Sequence, residues 1–248
     1  RQLPRGTCSG DDTALSSLLE VSGLHVRYGS YEAVKGVSFT LGESEILGIV
    51  GESGSGKSTI AKAIMGLQRP YSGTISIAPG AGVQMIFQDA VGSLNPRMTV
   101  RQTLEETLKV KRKKRRAESL LSLVGLSEAV LDQYPGEMSG GQCQRVSVAR
   151  ALACEPRVLV ADEPVSALDV SVQARVLNLL RDLCRGLGLS IILIAHDLAV
   201  VKNVCDRICV MERGRFVDEG SPETVFASPT SEYTRRLLAS VPRIALKI

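Results

Sequence analysis

The sequence contains no tryptophan, and phenylalanine and tyrosine bring aromatic residues to only 4%. A flat ligand stacked on this protein would rest on very few side chains. Long apolar runs are also missing. The longest, Leu189-Ser190-Ile191-Ile192-Leu193-Ile194-Ala195, falls far short of the roughly 20 residues a bilayer-spanning helix needs, which argues against a membrane span. The six cysteines (Cys8, Cys143, Cys154, Cys184, Cys205, Cys209) show no C-x-x-C spacing. In a chain of 248 residues they read as reduced thiols, not as a disulfide or zinc framework. A strongly basic surface is absent too. The formal charge is +4, but the run Lys109–Arg116 supplies seven of the 30 basic residues and leaves 23 against 26 acidic ones. One local cluster therefore sets the charge, and the rest is not built to hold nucleic acid. What is abundant is apolar material, 44% of the residues, enough for a large core and too much for a disordered chain.

Residues 1–17 are polar and carry no signal-like apolar run, so the expectation is a flexible tail before a domain at 18–248 and a cytosolic chain. Strand patterns cover Leu18–Tyr28 and Ala33–Leu41, and Ile46–Val50 is a short continuous apolar run suited to a strand buried on both faces. A helix over Lys57–Leu67 follows, then short strands at Thr74–Ala78 and Val83–Phe87 with a turn between them. Thr99–Val124 reads as helical and surface-exposed in its middle. A helix from Ser139 to about Ala153, a strand at Val158–Ala161, a helix over Val170–Gly186 and a strand at Ser190–Ala195 come next. A hairpin (Arg207–Glu212, Arg215–Glu219) and two short helices close the chain. Buried strands alternating with helices predict an α/β fold with a mainly parallel core sheet, an antiparallel β part and a helical subdomain inserted at about 89–155.

Gly51-Glu52-Ser53-Gly54-Ser55-Gly56-Lys57-Ser58-Thr59 fits G-x-x-x-x-G-K-[ST] between a buried strand and a helix, the context that motif requires. Glycines let successive N–H groups turn inward as an anion nest, and the helix that starts there adds its positive end. Gly51, Ser53, Gly54, Ser55, Gly56, Lys57, Ser58 and Thr59 are thus candidate nucleotide contacts. Lys57 would reach the outer phosphates, and the Ser58 hydroxyl would bind Mg²⁺. A second buried strand ends in Asp162-Glu163. Alone, these two acids fit a solvated strand end as well as a metal site. Beside a phosphate loop, Asp162 is expected to hold Mg²⁺, and Glu163, placed on the opposite side of the strand, to act as general base on the attacking water.

At Ser139-Gly140-Gly141-Gln142, upstream of the acidic strand, the chain resembles the signature motif of ABC-transporter ATP-binding subunits, with Met138 where leucine usually stands. The resemblance spans about Leu18 to Pro242, with the motifs in the family's order. It implies a P-loop ATPase that binds ATP with Mg²⁺. Tyr28 would stack on adenine, with Tyr31 as the alternative. Gln88 would contact the metal and the reaction centre as the Q-loop glutamine. Asp169, in Ser166-Ala167-Leu168-Asp169, would couple two sites, and His196 would sense or position the γ-phosphate. Two chains would pair head to tail, with Ser139, Gly140, Gly141 and Gln142 of one closing on the nucleotide of the other.

A narrower resemblance, to the oligopeptide, dipeptide and nickel importer subfamily, rests on Phe87-Gln88-Asp89, on Ser93–Val100, on Asp162–Gln173 and on the tail from Tyr233-Thr234 to Val241-Pro242. The segment Gly73–Val83 and the helical insert are shorter than usual there, a form shared with some metal or metallophore importers, so the cargo is left between a peptide and a nickel or other metal chelate. Such a subunit implies integral permease partners, an extracellular solute-binding protein and a place at the cytoplasmic face of the membrane, with 92–101 receiving the permease. Two other classes are weighed against this. One is an ABC ATPase accessory to a soluble enzyme complex, such as a phosphonate-cleaving one. The other is a nucleic-acid-linked ABC protein, which usually joins two ATPase halves or carries long coiled coils, neither present here. The basic run 109–116 is ranked as a solvated helical face, then as a lipid-headgroup contact, and last as a nucleic-acid contact, since no aromatic interleaves it.

Overall fold

Three short runs, Ile46–Val50, Val158–Asp162 and Ser190–Ala195, are buried at every position. Strands of that kind need cover on both faces, and the rest of the chain supplies it. The computed structural model describes residues 17–166 and 168–240. In chain order it forms β1 (Leu19–Tyr28), β2 (Tyr31–Leu41), β3 (Ile46–Val50), α1 (Lys57–Ile64), β4 (Ser72–Ile77), β5 (Val83–Ile86), α2 (Val100–Val110), α3 (Ala117–Leu123), α4 (Gly140–Leu152), β6 (Val158–Asp162), α5 (Val170–Leu187), β7 (Ser190–Ala195), α6 (Leu198–Lys202), β8 (Arg207–Glu212), β9 (Arg215–Gly220), α7 (Pro222–Ala227) and α8 (Glu232–Ser240).

A six-stranded sheet has the order β5-β6-β7-β3-β8-β9, parallel except for β9. An antiparallel sheet has the order β2-β1-β4. Alternation along the central strands divides the core in two. Leu47, Ile49, Val160, Ile192 and Ile194 pack with Ile60, Ala61 and Ile64 of α1 and with the antiparallel sheet. Ile46, Val50, Leu159, Ala161, Ile191 and Leu193 face the other way, against α2 to α5. The parallel order carries β3, β6 and β7 to one carboxyl edge, where open α/β sheets bind ligands.

The strand and helix expectations correspond to observed elements, with four differences. β4 and β5 do not pair across their turn; β4 joins β1 and β5 becomes the edge of the parallel sheet beside β6. The stretch Thr99–Val124 is two helices, broken at 111–116, where Arg112 takes a positive φ. Like charges one helical turn apart repel, and six consecutive basic residues end α2. The basic run is therefore a turn more than a helical face, and Lys113 and Arg115 fold onto Glu155. The short helix α6, capped by Asp197 accepting from the Ala199 N–H, is additional. Finally β6 ends at Asp162, so Glu163 lies beyond the strand. The tail at 1–16, Cys8, Ala167 and the segment from 241 lie outside the described residues; the five described cysteines are free thiols.

The chain's last described helix is tied down by one carboxylate. Asp218, on β9, accepts from the N–H groups of Thr230 (2.9 Å) and Ser231 (3.0 Å) and from the hydroxyls of Thr230 and Thr234. Burial pushes its pKa up, but these bonds outweigh burial and hold it below the usual value. A depressed carboxylate stabilises the fold above the unfolded-state pKa of about 3.9, and that stability is lost as pH falls through the folded value. Asp218→Asn is expected to cost about 1–3 kcal/mol near neutral pH. In urea titrations from pH 7 to pH 3 the gap from the parent should narrow toward the acid end.

Candidate nucleotide site

The loop between β3 and α1 is a tight cradle. Gly56, before α1, has φ 114°, and a Cβ there would lie 2.5 Å from the Ala33 carbonyl oxygen, so only glycine fits. The Lys57 side chain is buried, and its ammonium donates to the carbonyls of Gly51 (2.7 Å) and Glu52 (2.9 Å). Burial lowers its pKa, opposed in turn by the carboxylates of Glu163, Asp162 and Glu52.

Ser58 Oγ donates to Asp162 Oδ1 at 2.9 Å across 104 residues of sequence. Burial raises the Asp162 pKa; the Ser58 hydroxyl opposes this, Glu163 adds to it and Lys57 opposes it. A carboxylate pushed up by burial gains from a cation beside it. A hydroxyl and a carboxylate are hard oxygen donors of the kind Mg²⁺ takes alongside substrate phosphates. Among the described residues no three His, Cys, Asp or Glu side chains converge, so the protein offers these two oxygens and not a full cage.

Glu163 has φ 45°, a left-handed conformation rare for a residue with a side chain. Its N–H donates to the Ile194 carbonyl of β7 at 3.0 Å. This turn, and not strand alternation, aims its carboxylate. Glu163 Oε2 meets Gln88 Nε2 at 3.4 Å and His196 Nδ1 at 3.2 Å. Gln88 Nε2 also donates to Ser166 Oγ at 3.3 Å, and Ser166 Oγ donates to the Glu163 carbonyl at 3.1 Å. Sequence reasoning passed over Ser166 as a site residue, although it opens the Ser-Ala-Leu-Asp motif.

A cleft of about 390 Å³ is lined by Tyr28, Tyr31, Ser53, Gly54, Gly56, Lys57, Ser58, Thr59, Gln88 and Glu163, among others. Both tyrosines are substantially exposed at its mouth. Gly51, Ser55 and Asp162 are buried behind its wall. His196 lies on the far side of Glu163, in a smaller hollow shared with that residue. A larger cavity of about 570 Å³ lies between the loop residues Glu52, Ser53, Gly54 and Ser55, Arg213 and α8; Lys57, Ser58, Gln88 and Glu163 do not line it.

The signature residues are not brought to this cleft within one chain. Ser139 caps α4 in a reciprocal pair with Gln142: Ser139 Oγ accepts from the Gln142 N–H at 3.3 Å, and Gln142 Oε1 accepts from the Ser139 N–H at 2.9 Å. Ser139 and Gly140 are exposed, and the N–H groups of Gly140 and Gly141 stand ahead of the helix's own bonding ladder. Gly141 is buried; a Cβ there would meet Val172 Cγ1 at 2.5 Å, so α4 sits hard against the start of α5. Asp169, exposed, is the residue before that start, and its side chain makes no capping bond.

Residues 34–166 match the family model described as ABC transporter. The chain is 46% identical to the oligopeptide transport ATP-binding protein OppF of Escherichia coli, over 85% of the chain and 70% of that protein. It is 42% identical to the dipeptide transport ATP-binding protein DppD of Bacillus subtilis, over 94% and 79%. Among solved structures, a part of the ABC transporter complex cbiONQ from Clostridium perfringens is similar with a TM-score of 0.77 and 29% identity, over 92% of this chain and 97% of that one. A dimeric ATP-binding cassette in a post-hydrolysis state, bound to ADP and Pi, is similar with a TM-score of 0.70 and 27% identity, over 82% and 98%. A family match across more than half the chain and relatives sharing over two residues in five leave one conclusion: the chain belongs to the ABC transporter family, as one of its ATP-binding and ATP-hydrolysing subunits.

Proposed function

We propose that this subunit powers peptide import through integral permease subunits at the cytoplasmic face of the membrane, by closing head to tail with a second ATP-binding chain around two ATP molecules. The peptide cargo follows the names of the relatives, which are oligopeptide and dipeptide transport proteins. An accessory role in a soluble enzyme complex has no such support. The observation that carries the closure is the division of the site. The cleft gathers Lys57, Ser58, Gln88 and Glu163, while Ser139 and Gly140 lie exposed on another helix of the same chain.

In this reading Tyr28 stacks on adenine and the loop from Gly51 to Thr59 wraps the phosphates, with Lys57 on the outer pair. Ser58 and Asp162 would hold Mg²⁺, with Gln88 as a further contact; the ion, when bound, would neutralise phosphate charge. Glu163 takes the proton of the attacking water, and His196 and Gln88 hold its carboxylate. The partner's Ser139, Gly140, Gly141 and Gln142 would meet the γ-phosphate through the positive end of a helix, and Asp169 would couple the two sites. Residues 92–101, near the start of a helical subdomain at about 89–155, would receive the permease. Loss of the γ-phosphate removes the bridging charge and the pair loosens.

A substitution at Ser139 tests this. Ser139→Arg should leave ATP binding by a single chain within about twofold and cut steady-state hydrolysis by about 10²-fold or more, the scale of a lost transition-state donor. If single-chain binding is abolished, Ser139 acts in its own chain and the trans arrangement is wrong. In the reconstituted transporter, peptides should stimulate hydrolysis; stimulation by Ni²⁺-chelates alone would reassign the cargo.

A further inference from the structure

The chemistry assigned to Lys57 depends on where its ammonium points; the carbonyls of Gly51 and Glu52 hold it, and the first belongs to a peptide unit bonded at both edges. The carbonyl of Gly51 accepts from Lys57 Nζ at 2.7 Å. The N–H of the same unit, carried by Glu52, donates to the phenol oxygen of Tyr233 at 2.9 Å, across 181 residues of sequence. A trans peptide is planar, with its C=O and N–H on opposite edges. Bonds to both edges stop the plane from rotating. One partner is the phosphate-loop lysine; the other belongs to α8, an element with no other part in the site.

Tyr233 is held as firmly as the peptide it holds. The residue is 5% exposed and belongs to the larger of the two core clusters. The neighbouring Thr234 is fully buried, and its hydroxyl donates to Asp218. The N–H groups of Thr230 and Ser231 donate to the same carboxylate. The Asp218 latch thus fixes the start of α8, α8 fixes the phenol, and the phenol fixes the plane from which Lys57 hangs.

We infer that Tyr233 is a positioning residue for nucleotide binding, acting through the Gly51–Glu52 peptide to pre-orient Lys57. It rests on the reading of Lys57 as the phosphate-binding lysine. Without the phenol the peptide can rotate, and part of the binding free energy goes into restoring its orientation. The effect belongs to binding of ATP and not to the bond-breaking step.

Tyr233→Phe in the full chain keeps the ring and removes one hydroxyl. Loss of one neutral hydrogen bond predicts a rise of about 3- to 10-fold in both the Kd for ATP and the KM, with kcat within about twofold of the parent. Hydrogen exchange at the Glu52 amide should speed up, and the thermal midpoint should move by only a few degrees. An unchanged Kd with parental exchange at Glu52 would overturn the inference. So would a variant unfolded at the assay temperature, which would make the phenol a stability contact only. Lys57→Ala measured in parallel separates the two readings: parental ATP affinity there removes the premise, whereas lost affinity beside an unaffected Tyr233→Phe removes only the role of Tyr233.

Discussion

Glu163→Gln is expected to bind ATP and almost cease to hydrolyse it, with a fall in kcat of about 10²–10⁴-fold, the range of a positioned general base. The amide has the carboxylate's shape, so the contacts with Gln88 and His196 can persist with altered donor and acceptor roles. It lacks the basicity to take a proton from water. Because binding does not need that proton transfer, nucleotide should accumulate in the closed pair. Size-exclusion chromatography with Mg-ATP should show a dimer with unhydrolysed nucleotide. Parental turnover would move the base elsewhere. Failure of the two chains to associate under any Mg-ATP condition, even with the permease, would remove the closure model.

Lys57→Ala should lose ATP affinity by about 10²–10³-fold, the cost of truncating one member of a buried, hydrogen-bonded charge pair. Three consequences add. Phosphate loses its cation, and the carbonyls of Gly51 and Glu52 lose their ammonium donor. Glu163 and Asp162 also lose the positive charge that faces them, and they repel an incoming triphosphate the more. Filter binding or fluorescent-nucleotide titration reads the change directly. Lys57→Arg should recover little, since a wide planar guanidinium cannot serve the same two carbonyls as a compact ammonium.

Both substitutions fall on residues legible in the sequence, and the reason is local. A phosphate loop needs its glycines, its lysine and its hydroxyl within nine consecutive residues, between a strand and a helix that have their own apolar patterns. Asp162 was legible because a fully apolar strand ends in it. Glu163 was legible as a residue of the site, but the left-handed turn that aims it was not, since a positive φ in a glutamate leaves no mark on composition. The break between α2 and α3 was written in six consecutive positive charges, though apolar spacing on either side suggested one helix. The contacts of Tyr233 with Glu52 and of Asp218 with Thr230 and Thr234 had no such signal: the first joins residues 181 apart. The partition of β4 and β5 between two sheets was equally hidden, because a turn between short strands looks the same whether or not they pair.

The position of β5 has a mechanical consequence. It has four residues and pairs with β6 alone, on one side. Gln88 lies two residues beyond it, after Phe87, and its side chain meets Glu163 and Ser166 at 3.4 and 3.3 Å. Withdrawing Gln88 therefore breaches no part of the buried core. A shift of that side chain asks for no movement of the strands bearing the lysine loop and the two acids, while α4 stays packed on β5 and α5.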